Sequence, residues 1–205
     1  MKLWDFDNQI RNQYNIKILS GSDEVGRGAM AGPIVVASII MKEDFFDTRI
    51  KDSKLLSETM RESLYDLIIE NCISYSICEY DAQNVDKLNP KRASQLGMID
   101  TIKKLKVKPE MCLVDAEKIV IDGYEINSII KGDYKSFSIA CASIIAKVYR
   151  DRILTNYEHK WPGYGFKNHK GYCTKSHIEA TTKLGILPVH RLSYKPIKLI
   201  KEKNV

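Results

Sequence analysis

The first third of this chain carries apolar runs too dense for one-sided burial. Ile16 to Asp23 reads as a strand, and Pro33 to Met41 as a second, β-branched and nearly continuous in apolar residues, which fits burial on both faces. Ser57 is placed to N-cap a helix with Glu58 in its first turn; Met60, Leu64, Leu67 and Ile68 then form a stripe running to about Asn71. The stretch CISYSICEY alternates Ile73, Tyr75 and Ile77 with Ser74 and Ser76, the period of a half-buried strand. Asn89 followed by Pro90 signals a helix start, and the pattern continues to about Leu105. MCLVD, ending at Asp115, is a short buried strand. Ser136 to Arg152 is apolar or small on almost every side until Lys147, which predicts a buried helix packed closely through Ala140, Ala142, Ser143 and Ala146. A last helix fits Lys175 to Leu184, with Gly185 just past its end. Strands come early, helices alternate and then accumulate, so the pattern predicts an α/β chain with a mixed sheet flanked by helices.

Composition narrows the class. With 205 residues, 44% hydrophobic and 28% charged, the expectation is one compact globular domain spanning 1–205, with about 175–205 a helix and basic tail packed on it. The net charge of +6 suits a polyanionic partner without demanding one. The cysteines at 72, 78, 112, 141 and 173 form no C-x-x-C pair and stand in apolar or small-residue settings, as buried free thiols do in a reducing compartment. Asp5 and Asp7 stand where a signal peptide would need an apolar core, and the longest apolar run, Ile34 to Met41, is too short to span a bilayer. A cytoplasmic location with no membrane association is the expectation.

Candidate chemistry lies in acids at unusual places. Asp23 and Glu24 end the first strand, Asp115 ends MCLVD, and Asp133 sits in KGDYKSFSIA ahead of the buried helix. Singly, each has an ordinary use: Asp23 in a turn, Asp115 as an N-cap, Asp133 near a helix dipole. Gathered, several carboxylates are unstable unless a cation neutralises them, and hard oxygen donors without His or Cys favour Mg²⁺ or Mn²⁺. Two such ions about 4 Å apart serve phosphodiester hydrolysis. Asp23 and Glu24 converge on one site only where the strand ends or bends, and Gly26 and Gly28 supply that exit by permitting φ > 0, with Arg27 between them offering donors to phosphate.

With Asp23, Glu24, GRG, DSK, VDA, KGD and SIIAKVYRDR in this order, the chain resembles the bacterial ribonucleases HII from about Ser20 to Arg191. The resemblance implies a ribonuclease H-like fold, a mixed five-stranded sheet with helices on both sides. It implies metal-dependent endonucleolytic cutting of the RNA strand of RNA–DNA hybrids and of single ribonucleotides in duplex DNA, leaving 3′-hydroxyl and 5′-phosphate ends. The partners implied are those nucleic acids, with no obligatory protein partner. Asp23, Glu24, Asp115 and Asp133 fall on the family's metal-binding acids, for two Mn²⁺ or Mg²⁺ ions. Gly26, Arg27 and Gly28 fall on the loop that reads the ribose 2′-hydroxyl, Lys54 on a phosphate-contacting lysine, and Tyr172 on a tyrosine that stacks on the sugar after the scissile phosphate. The chain departs from the family at Leu55, Cys141 and Cys173, where lysine, alanine and glycine are frequent. Asp122, in the decoy IDG, is expected to turn with Gly123.

From His159 to Ile178 the chain carries Lys160, Lys167, Lys170 and Lys175 with no acid, interleaved with Trp161, Tyr164, Phe166 and Tyr172. That is a composition suited to a nucleic-acid groove. His169, Cys173 and His177, four apart, have zinc-like spacing but no fourth ligand. Arg191, Lys195, Lys198, Lys201 and Lys203 are expected to form a basic tail.

Overall fold

A computed structural model describes residues 3–51 and 53–203. The chain divides into two compact units. The first comprises Met1–Val25, Val36–Cys78 and Gln95–Val148; the second comprises Gly26–Val35, Glu79–Ser94 and Tyr149–Val205. Asp52, of the DSK motif, lies outside the described residues.

Along the chain, helix α1 (Leu3–Tyr14) precedes strands β1 (Leu19–Val25) and β2 (Ile34–Met41). Helix α2 (Glu58–Glu70), strand β3 (Cys72–Tyr80), and helices α3 (Ala82–Leu88) and α4 (Pro90–Lys104) follow. Strands β4 (Met111–Asp115) and β5 (Ile126–Ile129) come next, then the long α5 (Phe137–Lys160) and the shorter α6 (Phe166–His169), α7 (Lys175–Leu184) and α8 (Lys195–Lys203). The five strands form one sheet in the order β3-β2-β1-β4-β5. Every residue of β2 is buried, as its unbroken apolar run requires. The expected caps are present. Ser57 accepts from the Met60 amide, the Asn89 side chain accepts from Arg92, and Gly185 ends α7 at φ +97°.

In the first unit, β1 and β4 are parallel with Leu19 opposite Met111 and Ser22 opposite Val114. Continuing that register by one residue sets Asp23 beside Asp115 at the same end of adjacent strands. Helix α5 begins directly on β1: a Cβ on Gly21 would lie 2.2 Å from the Ser138 carbonyl carbon, so only glycine fits. Buried Asp7 of α1 caps α5 from outside, accepting from the Ser138 amide at 2.8 Å and its hydroxyl at 2.7 Å. Helix α4 approaches β2 as closely, since a Cβ on Gly97 would sit 2.4 Å from Val36 Cγ2.

Strand β3 reverses the ordinary assignment of faces. Ser74 and Ser76 are buried, whereas Ile73 and Tyr75 are 43% and 40% exposed. Ser76 Oγ donates to the Thr101 carbonyl of α4 and Ser74 Oγ accepts from the Lys106 amide, so the small polar side chains satisfy a close-lying helix.

The second unit is organised by charged and aromatic side chains. Arg150 and Arg191 are among its largest fully buried groups. Tyr164 stacks on buried Phe166 at 5.5 Å, and Met30 packs with Ile197 and Ile200 of α8. Arg191 therefore does not belong to a solvated basic tail. Nor are Tyr164 and Phe166 groove residues: they are core, and Lys170 is buried too, its ammonium donating to Thr155. Cys173 is exposed, contrary to the expectation of buried thiols, while Cys112 and Cys141 are buried.

Candidate active site

The first unit gathers acids at the ends of β1 and β4 and just after β5. Asp23 is buried and Glu24 half-buried at the end of β1. Burial, first, and then the charges of Glu24 and Asp115 push the Asp23 carboxyl well above its ordinary range. Hydrogen bonds from the Ser143 side chain and the Glu24 amide offset this only in part, the latter at 2.7 Å. Ser143 was expected as a packing residue; it also bonds Ser53 at 3.0 Å, linking α5 to the segment that carries Lys54. The Arg61 guanidinium fastens that segment by donating to the carbonyls of Ser53 and Leu56.

Asp115 accepts from the Gly132 amide at 2.6 Å. Gly132 permits that approach, since a Cβ there would lie 2.5 Å from Ile139 Cδ1 and 3.2 Å from the Asp115 oxygen. The next residue, Asp133, is buried in a 3₁₀ turn over Gly132–Tyr134 and meets Lys54 Nζ at 3.3 Å. A cavity of about 640 Å³ is lined by Lys54, Asp115, Ala116, Ile130, Lys131, Asp133 and Tyr134. Ala116 sits at φ +50°, a left-handed conformation that glycine adopts more easily. Asp122 lies in an exposed turn beside Gly123 at φ +74°, away from this strand end. Leu55, where a second cation was looked for, is exposed beside Lys54.

The all-carboxylate donor set, with Asp23 held above its usual pKa by burial and then by its neighbours, fits a hard divalent cation. Among the described residues no three of His, Cys, Asp and Glu stand close enough together to hold an ion as they are. Electrostatic proximity is therefore present, and a closed coordination shell is not.

The second unit holds the remaining candidates. Gly26 is at φ +95°. Gly28 is not in the left-handed region, contrary to expectation, and a Cβ there would meet nothing within 4 Å, so its glycine leaves open space at the surface. Ala29 forms an antiparallel bridge with Tyr172, and the Met30 and Ala31 amides donate to the Gly171 carbonyl at 3.0 and 3.2 Å. The loop and Tyr172 are thus brought together. Tyr172 is 37% exposed, with its ring 5.4 Å from the Arg150 guanidinium. Arg191 donates to the carbonyls of Gly32 and Arg27, and Tyr194, which also bonds the Arg27 carbonyl, accepts from it.

Three histidines lie behind Tyr172 in fixed tautomers. His169 Nε2 donates to the Tyr164 carbonyl while its Nδ1 accepts from the Gly171 amide. His177 Nδ1 donates to the Tyr172 carbonyl, and His190 Nδ1 accepts from the Leu187 amide. His177 Nε2 meets His190 Nε2 at 3.2 Å. Burial lowers all three pKa values, to about 3 for His177 and about 4 for His190. Each ring nitrogen of His169 and His177 is already engaged and Cys173 is exposed, which removes the zinc reading.

Residues 20–197 match the family model described as Ribonuclease HII. The chain belongs to the ribonuclease HII family. The ribonuclease HII of Mycoplasma capricolum is 53% identical over 200 residues, 97% of each chain. Of solved structures, the ribonuclease H2 of Pyrococcus horikoshii aligns with a TM-score of 0.79 at 23% identity, covering 91% of this chain and 98% of that one. Bst-RNase HIII in complex with Mn²⁺ aligns at 0.69 and 17%, covering 91% and 70%. The mixed five-stranded sheet is a ribonuclease H-like fold, and the chain is an endoribonuclease of the ribonuclease H type, which implies action on the RNA of RNA–DNA hybrids. Among the described residues no helix is long and apolar enough to cross a membrane.

Proposed function

We propose that this ribonuclease HII family member, acting as a single catalytic domain, cuts the RNA strand of hybrids and single ribonucleotides embedded in duplex DNA, leaving 3′-hydroxyl and 5′-phosphate ends. The observation that carries the reading is the strand register that sets buried Asp23 beside Asp115 with Glu24 next in the chain, where burial and then the like charges raise the Asp23 carboxyl. A protein retains such a cluster where a cation completes it. Asp23, Glu24, Asp115 and Asp133 would hold Mn²⁺ or Mg²⁺, and the Mn²⁺ bound by the related ribonuclease HIII supports that choice. Two ions held there would make water a better nucleophile and offset charge on the attacking and departing oxygens.

The chain's own groups do the rest. The Gly132 amide holds the Asp115 carboxylate in one orientation, and Ser143 does the same for Asp23. Lys54, with its side chain 74% exposed, offers a cation to a backbone phosphate beside Asp133. Gly26, Arg27 and Gly28 read the 2′-hydroxyl, the group that separates RNA from DNA, and Tyr172 presents its exposed face to the following sugar. In this reading the compartment is the cytoplasm.

The test is a duplex with one ribonucleotide, incubated with and without Mn²⁺ or Mg²⁺, with the cut mapped by end analysis. Asp115→Asn is expected to reduce kcat by at least about 10³-fold while hybrid binding persists. Cleavage by that variant at the wild-type rate would falsify the assignment.

A further inference from the structure

Resting on the sugar-reading roles proposed above, we infer that Arg150 is a positioning residue that joins the 26–33 loop and Tyr172 into one rigid specificity element. Its side chain is fully buried, yet its hydrogen bonds go to backbone carbonyls of the two segments that would read the sugar. Nε donates to Pro33 at 2.9 Å, Nη2 to Ala31 at 3.0 Å, and Nη1 to Lys170 at 2.8 Å. The first two lie in the loop and the third precedes Gly171 and Tyr172. The same guanidinium lies over the Tyr172 ring. One planar group therefore fixes both partners at once.

The glycines around it point the same way. A Cβ on Gly26 would lie 2.3 Å from Arg150 Nε, and one on Gly171 would lie 2.4 Å from the Ala31 carbonyl oxygen and 3.3 Å from Arg150 Nη2. A Cβ on Gly32 would lie 3.4 Å from the same nitrogen. The first glycine of GRG is thus required both by its φ of +95° and by the space Arg150 occupies. Lysine could not replace this group, because a single ammonium lacks the forked, planar set of donors. Burial lowers the Arg150 pKa to about 10, which leaves it charged at neutral pH.

The prediction concerns selectivity rather than stability alone. The readout is the ratio of kcat/KM for a duplex with one ribonucleotide to that for the same duplex with a 2′-fluoro nucleotide. Arg150→Lys is expected to lower kcat/KM on the ribonucleotide about 100-fold and the ratio about tenfold, as a displacement of roughly 1 Å in a positioning group does. In the Tyr172→Ala background the same substitution should change the ratio by less than about twofold, since both act on one element. Gly26→Ala, which displaces the guanidinium without removing it, should reproduce the lower ratio. A folded Arg150→Lys or Gly26→Ala enzyme that slows on both duplexes in equal proportion would show a merely structural arginine and overturn the inference. If Tyr172→Ala and Arg27→Ala keep the wild-type ratio, the sugar-reading roles fail first, and the inference falls with them for that separate reason.

Discussion

The two units bury charge in opposite ways. In the first, Asp23 lies beside Glu24 and Asp115, and these like charges raise its pKa together with burial. In the second, Arg150 and Arg191 are fully buried, and each donates to carbonyl oxygens held in place by glycine-rich backbone. On the proposed reading the first arrangement is frustrated until a cation enters; the second is satisfied as it stands. A binding centre and a supporting frame differ in this respect: one keeps its electrostatic demand open and the other closes it.

The difference is broken most directly by removing a charge from each side. Arg191→Met would leave the Gly32 and Arg27 carbonyls without their guanidinium donors, in a part of the chain where Gly32 is at φ +82° and cannot readily rearrange. A loss of about 3–5 kcal/mol is expected in urea unfolding. A loss below about 1 kcal/mol would mean that water replaces the arginine without difficulty and the frame is not closed.

The opposite sign is expected for Asp23→Asn. The amide keeps an acceptor for the Glu24 amide and removes the charge that Glu24 and Asp115 oppose. In EDTA the variant should be more stable than wild type by on the order of 2 kcal/mol, while being inactive. Saturating Mn²⁺ should shrink or reverse the gap, because an ion that binds only the folded wild type adds stability by mass action. A variant less stable than wild type in EDTA would show that the acids are not in conflict.

Legibility in the sequence follows the same division. Strands β1, β2 and β4 and helices α2, α4 and α7 were readable because apolar period and capping residues agree there. The strand-end acids were readable because a carboxylate after an apolar run is out of place, although the sequence could not show that Gly132 reaches Asp115. Helix α1 was missed because its buried face includes Asp7 and Arg11, and α3 and β5 because seven and four residues are too few for a period. In β3 the period was right and the face was not: from the inner side Ser76 serves α4 and Ser74 the Lys106 amide just past it. The frame of the second unit was nearly invisible. Arg150 stood in a recognised motif, but Arg191 was grouped with tail lysines, because side chains that bond carbonyls leave no matching partner in the sequence.

The smallest effect tests whether the histidines belong to that closed frame. Their folded pKa values, about 3 for His177 and about 4 for His190, lie below the ordinary 6.5. The unfolded chain therefore takes up protons first as pH falls. Stability from the neutral rings is fully present above 6.5 and drains away as pH falls towards 4 and 3. Geometry gives the reason: a second proton on His177 would sit on Nε2, facing His190 Nε2 at 3.2 Å, which carries a hydrogen because its Nδ1 accepts from Leu187. Asp7 and Asp23 act with the other sign, since raised carboxyl pKa values contribute stability below 3.8 that is lost on going up in pH. Comparing wild type with a His177 variant cancels those carboxyl contributions and leaves the histidine slope between pH 6.5 and 5.5. His177→Gln should therefore flatten the fall of unfolding free energy in this window by up to about 1.4 kcal/mol per pH unit, the weight of one proton. Urea midpoints at half-unit intervals would measure it. An unaltered slope would move the acid sensitivity to some other group and leave His177 as packing alone.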